Sequence, residues 1–186
     1  MGSVNCNDSE LFEKTISVNE IFDGRVFKCI IKDVELCDGS KAKREVILHT
    51  GGASVLPVDD EFNCYLVKQF RSGADEVLLE VPAGKVEACE EPKECAVREI
   101  EEETGFKAGK IEELGVIIAT PAYCSERIHM YLATGLTESV SNPDEGEFLR
   151  IVKLPLEEAV LMCDRGEIKD SKTVASLYKA YRRLIK

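Results

Sequence analysis

A glutamate-rich segment, GKVEACEEPKECAVREIEEETGF at residues 84–106, most constrains what this chain can fold into. Pro92 is typical of a first helical turn, an apolar stripe that includes Ile100 follows at helical spacing, and Gly105 stands where a helix would end. The pattern predicts a single helix over this part of the chain. On that helix three carboxylates share a face: Glu99, Glu102 and Glu103.

So many neighbouring carboxylates require a counter-charge. Like charges three or four residues apart on a helix cost roughly 0.2–0.5 kcal/mol per pair when nothing neutralises them. The predicted helix carries only two cationic side chains, Lys93 and Arg98, whereas hard divalent cations take oxygen ligands and commonly bind through carboxylates together with substrate phosphates. Spacing alone leaves two interpretations open: a metal site, or a solvated acidic face of the kind that most charge runs form.

The same segment resembles a known motif. Gly84, Glu90, Arg98-Glu99-Ile100, Glu102-Glu103 and Gly105-Phe106 stand at every defined position of the Nudix box. The chain therefore resembles the Nudix hydrolases, a family that cleaves nucleoside diphosphates linked to another moiety with the help of Mg²⁺ or Mn²⁺. The resemblance implies Mg²⁺, with Mn²⁺ as the alternative, and four metal-binding positions: the carboxylates of Glu99, Glu102 and Glu103 and the backbone carbonyl of Ala83.

The remaining box positions have structural roles. Gly84 permits a tight loop that brings a backbone carbonyl to the metal, and Arg98 can pair with Glu90 to orient the carboxylates. Gly105 would end the helix. The box leaves the substrate undecided, because the same helix serves sugar nucleotides, dinucleotide polyphosphates, oxidised nucleotides and capped RNA.

Features outside the box resemble one subfamily, the ADP-ribose pyrophosphatases. Pro121 stands sixteen residues after Gly105, where that subfamily typically has a proline, and VKQFRSGADEVLLEVPAGKVE resembles its lead-in to the box. The resemblance places Arg71 near the substrate phosphates or the terminal ribose, and makes Glu80, just ahead of the box, a further candidate to bind the substrate. Glu126 belongs to a further motif that the subfamily shares, and is a candidate to contact substrate or metal.

The C-terminal part of the chain also resembles this subfamily, and its acidic loop should hold the general base. Glu145 is the first candidate and Glu147 the second, with Gly146 between them as a departure from the commoner acidic run. The implied reaction is attack of a metal-activated water on the diphosphate of ADP-ribose, giving AMP and ribose 5-phosphate. Two alternatives remain: a Nudix hydrolase of another substrate, such as GDP-mannose or a dinucleotide, and a non-catalytic ADP-ribose-binding module.

Composition limits the kinds of binding partner and the cellular compartment that we expect for this chain. A net charge of -11 and a pI near 4.8 oppose binding to a nucleic-acid backbone. No stretch approaches ~18 consecutive apolar residues, and the start of the chain has neither a basic leader nor an apolar core, so we expect no membrane span and no secretion signal. The eight cysteines lack CxxC spacing and are expected to be reduced thiols in the cytoplasm. The expected partner is a small nucleoside diphosphate sugar.

The order of elements predicts an α/β fold. Runs rich in β-branched residues precede the box helix, further apolar runs follow it, and an amphipathic pattern ends the chain. This order fits the Nudix α/β/α sandwich with a mixed sheet over residues 51–186, preceded by a small antiparallel β arm over residues 1–50. The subfamily resemblance implies that the arm contributes to a homodimer. Arg44 is then a candidate to reach the partner's ligand, with an ordinary exposed basic residue as the alternative.

Overall fold

The computed structural model of the protein describes residues 11–142, 146 and 148–185, and within them it contains ten strands and three helices. None of the helices in these residues combines the length and the apolarity that a bilayer crossing requires. The strands are β1 (Lys14–Asp23), β2 (Lys28–Glu35), β3 (Lys41–Leu48), β4 (Gly52–Pro57), β5 (Asn63–Arg71), β6 (Glu76–Glu80), β7 (Ala83–Lys85), β8 (Phe106–Ile118), β9 (Arg127–Glu138) and β10 (Leu149–Pro155). The helices are α1 (Pro92–Thr104), α2 (Leu156–Asp164) and α3 (Ser171–Leu184).

The chain divides into two compact units, of which the first combines the chain up to Thr50 with Thr120–Glu126. In this unit β1, β2 and β3 form an antiparallel sheet in that order. All ten residues of β1 are exposed, whereas β2 buries Ile30 and Val34. The antiparallel N-terminal arm that the sequence predicts is therefore confirmed. Its predicted boundary at residue 50 and its role in dimerisation stay predictions.

The loop Thr120–Glu126 belongs to the first unit because it pairs with the end of β3. The amide of Ile47 donates to the carbonyl of Tyr123 over 2.7 Å, and the amide of Ser125 donates to the carbonyl of Ile47 over 2.9 Å. The Ser125 hydroxyl also accepts from the amide of His49 at 2.9 Å. The loop thus continues the edge of β3 as a short parallel bridge.

The second unit comprises Gly51–Ala119 and Arg127–Lys186 and is built on a mixed sheet. Its four strands lie in the order β7-β4-β9-β8, in which β4 and β9 run parallel and the other neighbours run antiparallel. A second sheet of this unit has the order β10-β5-β6 and is antiparallel throughout.

Helices cover both faces of the mixed sheet. Successive side chains of a strand point to opposite faces, so one strand can contact a helix on each side. Along β4, Ala53 and Val55 pack with Ile100 of α1 in one apolar cluster. Leu56, from the other face of the same strand, packs with Leu177 of α3 in a separate cluster. This confirms the predicted α/β/α sandwich.

A network around Asp59 ties the turn before β5 to β10. Its carboxylate accepts hydrogen bonds from the Asn63 amide at 2.8 Å and from the Tyr65 hydroxyl at 3.2 Å, and it pairs with Lys153 at 2.9 Å. Burial alone would raise the pKa of Asp59, but hydrogen bonds from Lys153, Asn63 and Tyr65 outweigh it and lower the pKa to about 2. The folded state therefore favours the ionised carboxylate.

We expect Asp59→Asn to destabilise the protein by about 2 kcal/mol at pH 7, because a carboxyl whose pKa is depressed on folding stabilises the folded state while it is ionised. This stabilisation is present above the unfolded pKa of about 4 and is lost as the pH falls toward 2. Urea unfolding of both proteins at pH 7, 4 and 3 measures the effect. Asp60→Asn, one residue along at an exposed position, is the matched control. A difference between wild type and Asp59→Asn that did not change with pH would contradict the prediction.

Candidate active site

Helix α1 begins and ends where its local sequence dictates. Glu91 is the N-cap, its carboxylate and that of Glu94 form a reciprocal capping box, and Pro92 follows at the first helical position. The helix ends at Gly105, whose φ of 69° lies in the left-handed region that favours glycine. The helix predicted from residues 84–106 is confirmed.

The carboxylates of α1 differ in burial. Glu99 is 8% exposed and Glu103, one turn later, is 3% exposed, whereas Glu102 between them is half-buried. Ionised side chains are seldom so buried without a compensating charge. Glu99 and Glu103 therefore do not belong to a solvated acidic face.

Arg98 supplies part of the compensating charge. Its Nη1 donates to Glu99 Oε1 at 2.6 Å and to Glu102 Oε2 at 2.9 Å, and its Nε donates to Glu90 Oε1 at 3.0 Å. The hydrogen bond to Glu90, followed by the charge of Glu99 and the hydrogen bonds to Glu99 and Glu102, outweighs burial and raises the pKa of Arg98. Glu90 also accepts from the backbone amide of Glu87 at 2.9 Å. Arg98 is thus fixed from the loop side by Glu90 and from the helix side by two carboxylates of the predicted site.

The absence of a side chain at Gly84 leaves room for the Glu99 carboxylate. A Cβ added at Gly84 would lie 1.7 Å from Glu99 Oε1 and 2.2 Å from its Cδ, far inside van der Waals contact. Only a residue without a side chain allows α1 to bring this carboxylate against β7. Gly84 pairs with Ala53 and Ala83 with Ser54 in the adjoining strand β4, so the sheet holds this backbone in register. Glu99 therefore lies against the short strand that contains Ala83.

Arg71, at the end of β5, is held by Glu80 at the end of β6. Arg71 Nε donates to Glu80 Oε1 at 2.8 Å and Arg71 Nη2 donates to Oε2 at 2.9 Å, a bidentate pair. Glu80 is 1% exposed, whereas the Arg71 side chain is 37% exposed. The hydrogen bonds that Arg71 donates to Glu80, and further the negative charges of Glu80 and Glu103, raise the pKa of Arg71. Arg71 thus combines a buried anchor with an accessible cation within electrostatic range of the box.

Sequence reasoning missed a third member of this group, Lys172 in the first turn of α3. Its ammonium donates to Glu80 Oε2 and lies 3.0 Å from Asp170 Oδ2. Burial alone would raise the pKa of Glu80, but hydrogen bonds from Arg71 and the charge of Lys172 outweigh it and lower the pKa. The only sequence signal was the short DSKT segment at the start of the last amphipathic helix, which carries no information about its distant partner.

Comparison with known proteins identifies the family. The NUDIX domain model matches residues 48–177, well over half of the chain. The chain belongs to the Nudix hydrolase family. The resemblance of residues 84–106 to the Nudix box is thereby confirmed.

Two Nudix relatives are similar over nearly their whole length. The ADP-ribose pyrophosphatase of Bacillus subtilis (strain 168) is 39% identical over 169 residues, which cover 90% of this chain and 91% of that protein. The methanol dehydrogenase activator of Bacillus methanolicus is 40% identical over 167 residues, which cover 89% and 90% respectively. The crystal structure of an ADP compounds hydrolase matches with a TM-score of 0.81 at 23% identity, covering 92% of this chain and 94% of that one. The last similarity supports the Nudix fold.

The carboxylates of the Nudix box are chemically suited to bind a hard divalent cation. Glu99, Glu102 and Glu103 offer oxygen ligands on one helix beside a backbone strand, which suits Mg²⁺ or Mn²⁺. Within the described part of the chain, no three His, Cys, Asp or Glu side chains converge closely enough to hold an ion as they stand. Arg98 Nη1 instead bridges Glu99 and Glu102. Holding an ion there requires these flexible carboxylates to change partner.

Other predicted Nudix site residues lie in the first unit or outside the described residues. Arg44 pairs with Glu13, with Nε 3.1 Å from both carboxylate oxygens. Glu126 Oε1 lies 3.6 Å from Nδ1 of His49, a pairing that sequence reasoning missed because the two residues are far apart in the chain. The two candidates for the general base, Glu145 and Glu147, lie outside the described residues.

Proposed function

We propose that the protein hydrolyses the diphosphate of ADP-ribose to give AMP and ribose 5-phosphate. The observation that carries the proposal is the presence of the buried box carboxylates of Glu99 and Glu103 together with Arg71, an accessible cation that is anchored on buried Glu80. A nucleoside diphosphate needs such a combination, because its own charge would otherwise be repelled by the glutamates. The near full-length similarity to an ADP-ribose pyrophosphatase supports the choice of substrate.

Glu99, Glu102, Glu103 and the carbonyl of Ala83 would hold the divalent cation, Mg²⁺ by preference and Mn²⁺ as the alternative. A cation bound there would act as a Lewis acid on the phosphoryl oxygens and acidify the attacking water. Arg98 orients the carboxylates from the loop side through Glu90.

Arg71 would bind the diphosphate directly. A guanidinium has donors to spare after a bidentate pair, and its charge is permanent at any working pH. Nε and one Nη2 hydrogen are used by Glu80, so the two Nη1 hydrogens and the second Nη2 hydrogen remain as donors. Arg71 would therefore stabilise the charge that builds up on the phosphoryl oxygens and the leaving group.

Glu145 would act as the general base. We expect Glu145→Gln to leave substrate binding largely intact and to lower kcat by about 100-fold, the lower end of the range for losing such a base. Steady-state kinetics with ADP-ribose measures kcat and KM separately. Glu147→Gln is the matched variant two residues away, and an unchanged kcat in Glu145→Gln would transfer the role to Glu147 or Glu126.

The active form would be a homodimer built through the N-terminal arm. Strand β1 supports this, since all ten of its residues are exposed and they include Ile16, Val18 and Phe22, apolar side chains that a second copy would cover. Arg44 would then reach the partner's ligand. Sedimentation velocity tests the assembly: a monomer that keeps full activity would remove Arg44 from the site.

The protein would be cytoplasmic, and the state of its cysteines supports this. The seven cysteines among the described residues are all free. Burial raises the pKa of Cys64 and of Cys95 to about 12, so these two are inert as nucleophiles. Free thiols are typical of a reducing compartment.

A substrate panel tests the proposed function. The purified protein is incubated with Mg²⁺ and ADP-ribose, GDP-mannose, NADH or diadenosine polyphosphates, and the phosphate released after phosphatase treatment is measured. A strong preference for ADP-ribose is the expected result. Preferred turnover of GDP-mannose or a dinucleotide would keep the Nudix chemistry and overturn the substrate, and turnover of none with ADP-ribose still bound would favour the non-catalytic binding module.

A further inference from the structure

Lys172 occupies a place that helix formation does not explain. Helix α3 is already capped by Asp170, whose Oδ2 accepts from the Thr173 amide at 2.9 Å and from the Thr173 hydroxyl at 2.5 Å. A cation in the first turn opposes the helix dipole, and burial of a lysine is costly unless it is paired. Lys172 is nevertheless buried in that turn. Its presence therefore requires a partner outside the helix.

That partner is Glu80, which is buried between two cations. Lys172 donates to Glu80 Oε2 from the α3 side, and Arg71 donates to both oxygens from the end of β5. Asp170 lies 3.0 Å from the Lys172 ammonium and completes a row of alternating charges. The row begins with Asp170 and Lys172 at the start of α3. It continues through Glu80, which is 1% exposed, to the accessible guanidinium of Arg71.

The geometry makes the orientation of Arg71 depend on Lys172. A carboxylate held by Arg71 alone could rotate together with the guanidinium, because a single bidentate pair fixes the two groups only relative to each other. The bond from Lys172 fixes the same carboxylate to the start of α3. An outer partner of this kind holds the ligand-binding group in its productive geometry.

We propose that Lys172 is a positioning residue that orients Arg71 toward the diphosphate through Glu80. The proposal rests on the proposed function, in which Arg71 binds the substrate phosphates. Lys172 itself contacts no substrate in this arrangement, because its ammonium is buried and faces Glu80 and Asp170.

The first test is Lys172→Met, which keeps the length of the side chain and removes the charge. We expect KM for ADP-ribose to rise about 10-fold while kcat changes less than about 3-fold, as for loss of an outer partner of a binding group. Lys169→Met is the matched control: Lys169 pairs with Glu76 at 2.8 Å and so joins the same two segments, but at the exposed surface. Its KM should stay at the wild-type value.

A double-mutant cycle separates positioning from a merely structural role. Arg71→Ala alone should raise KM, and adding Lys172→Met to it should change KM by less than about 2-fold, because Lys172 acts through Arg71. If instead the fold-change in KM of the double variant equals the product of the fold-changes of the two single variants, the proposal is overturned. If Arg71→Ala leaves KM unchanged, the proposed role of Arg71 fails instead, and the two failures are distinguished.

A readout without catalysis keeps the inference testable if Lys172→Met folds poorly. Lys172→Gln is the second variant: it keeps a polar side chain beside Glu80, removes the ammonium and leaves the Arg71–Glu80 pair in place. The Arg71 Nε–H signal in ¹⁵N NMR should be slow to exchange in wild type and in Lys169→Met, and broadened or lost in Lys172→Met and in Lys172→Gln. A signal unchanged in these two variants would overturn the proposal.

Discussion

Glu103→Gln is expected to lower kcat for ADP-ribose by roughly 1,000-fold or more, because losing one of the proposed metal-binding carboxylates would remove several kcal/mol of charge stabilisation. Glu103 is 3% exposed on α1, one turn after Glu99. Glutamine has nearly the same shape, so the change removes a charge and little packing. The fold should persist, and the loss should appear as weaker binding of Mn²⁺ by titration calorimetry alongside the fall in kcat.

Glu101→Gln is the matched control for this loss. Glu101 lies on the same helix, pairs with Lys107 at 3.1 Å and accepts a hydrogen bond from Ser139 at 2.6 Å, all outside the proposed metal site. A surface pair of this type contributes about 0–1 kcal/mol to stability. We expect its kcat and Mn²⁺ affinity to match the wild type. Full activity in Glu103→Gln would overturn the assignment of the box carboxylates to a metal.

The second large effect is expected for Gly84→Ala, which should lower the activity strongly and change the stability of the fold little. In Gly84→Ala the new methyl group would lie 1.7 Å from Glu99 Oε1. Because that oxygen is the far end of a flexible side chain, the carboxylate can move away and the free energy of unfolding should change by less than about 1 kcal/mol. A catalytic group displaced by more than an ångström costs about 100-fold or more in rate. We therefore expect a folded protein with kcat lowered by about 100- to 1,000-fold.

Thermal unfolding and steady-state kinetics on the same preparation measure both effects. Gly73→Ala is the control, because a Cβ at Gly73 meets no atom within 4 Å. It should keep both the activity and the midpoint of unfolding. Gly84→Ala with wild-type kcat would mean that the position of the Glu99 carboxylate against β7 is irrelevant to the chemistry.

Helix α1 was predictable because its signals are local. Pro92 and Gly105 mark its first residue and the residue after its last, and the i, i+3 and i+4 spacing puts Glu99, Glu102 and Glu103 on neighbouring positions of one helix. The same is true of the pairing of Arg98 with Glu90, which lie eight residues apart. A short chain distance leaves few alternative partners, so the sequence nearly determines the contact.

Contacts between distant segments could not be predicted in this way. Lys172 meets Glu80 across 92 positions, and sequence reasoning assigned Glu80 to the substrate without seeing the lysine. No sequence pattern indicates that His49 lies beside Glu126, 77 positions further along the chain. Both pairs depend on how the ends of separate strands and a helix come together, and no pattern within either segment encodes that.

The pairing of the loop Thr120–Glu126 with β3 has a consequence for how the protein could be shortened. Although the arm comes first in the chain, its compact unit includes a segment from the middle of the sequence, joined by the hydrogen bonds of Ile47 and Ser125. A truncation that started at Gly51 would leave that loop with unpaired backbone groups. The arm is thus not a detachable appendage, and any ancestral or engineered minimal version of this enzyme has to redesign the loop along with it.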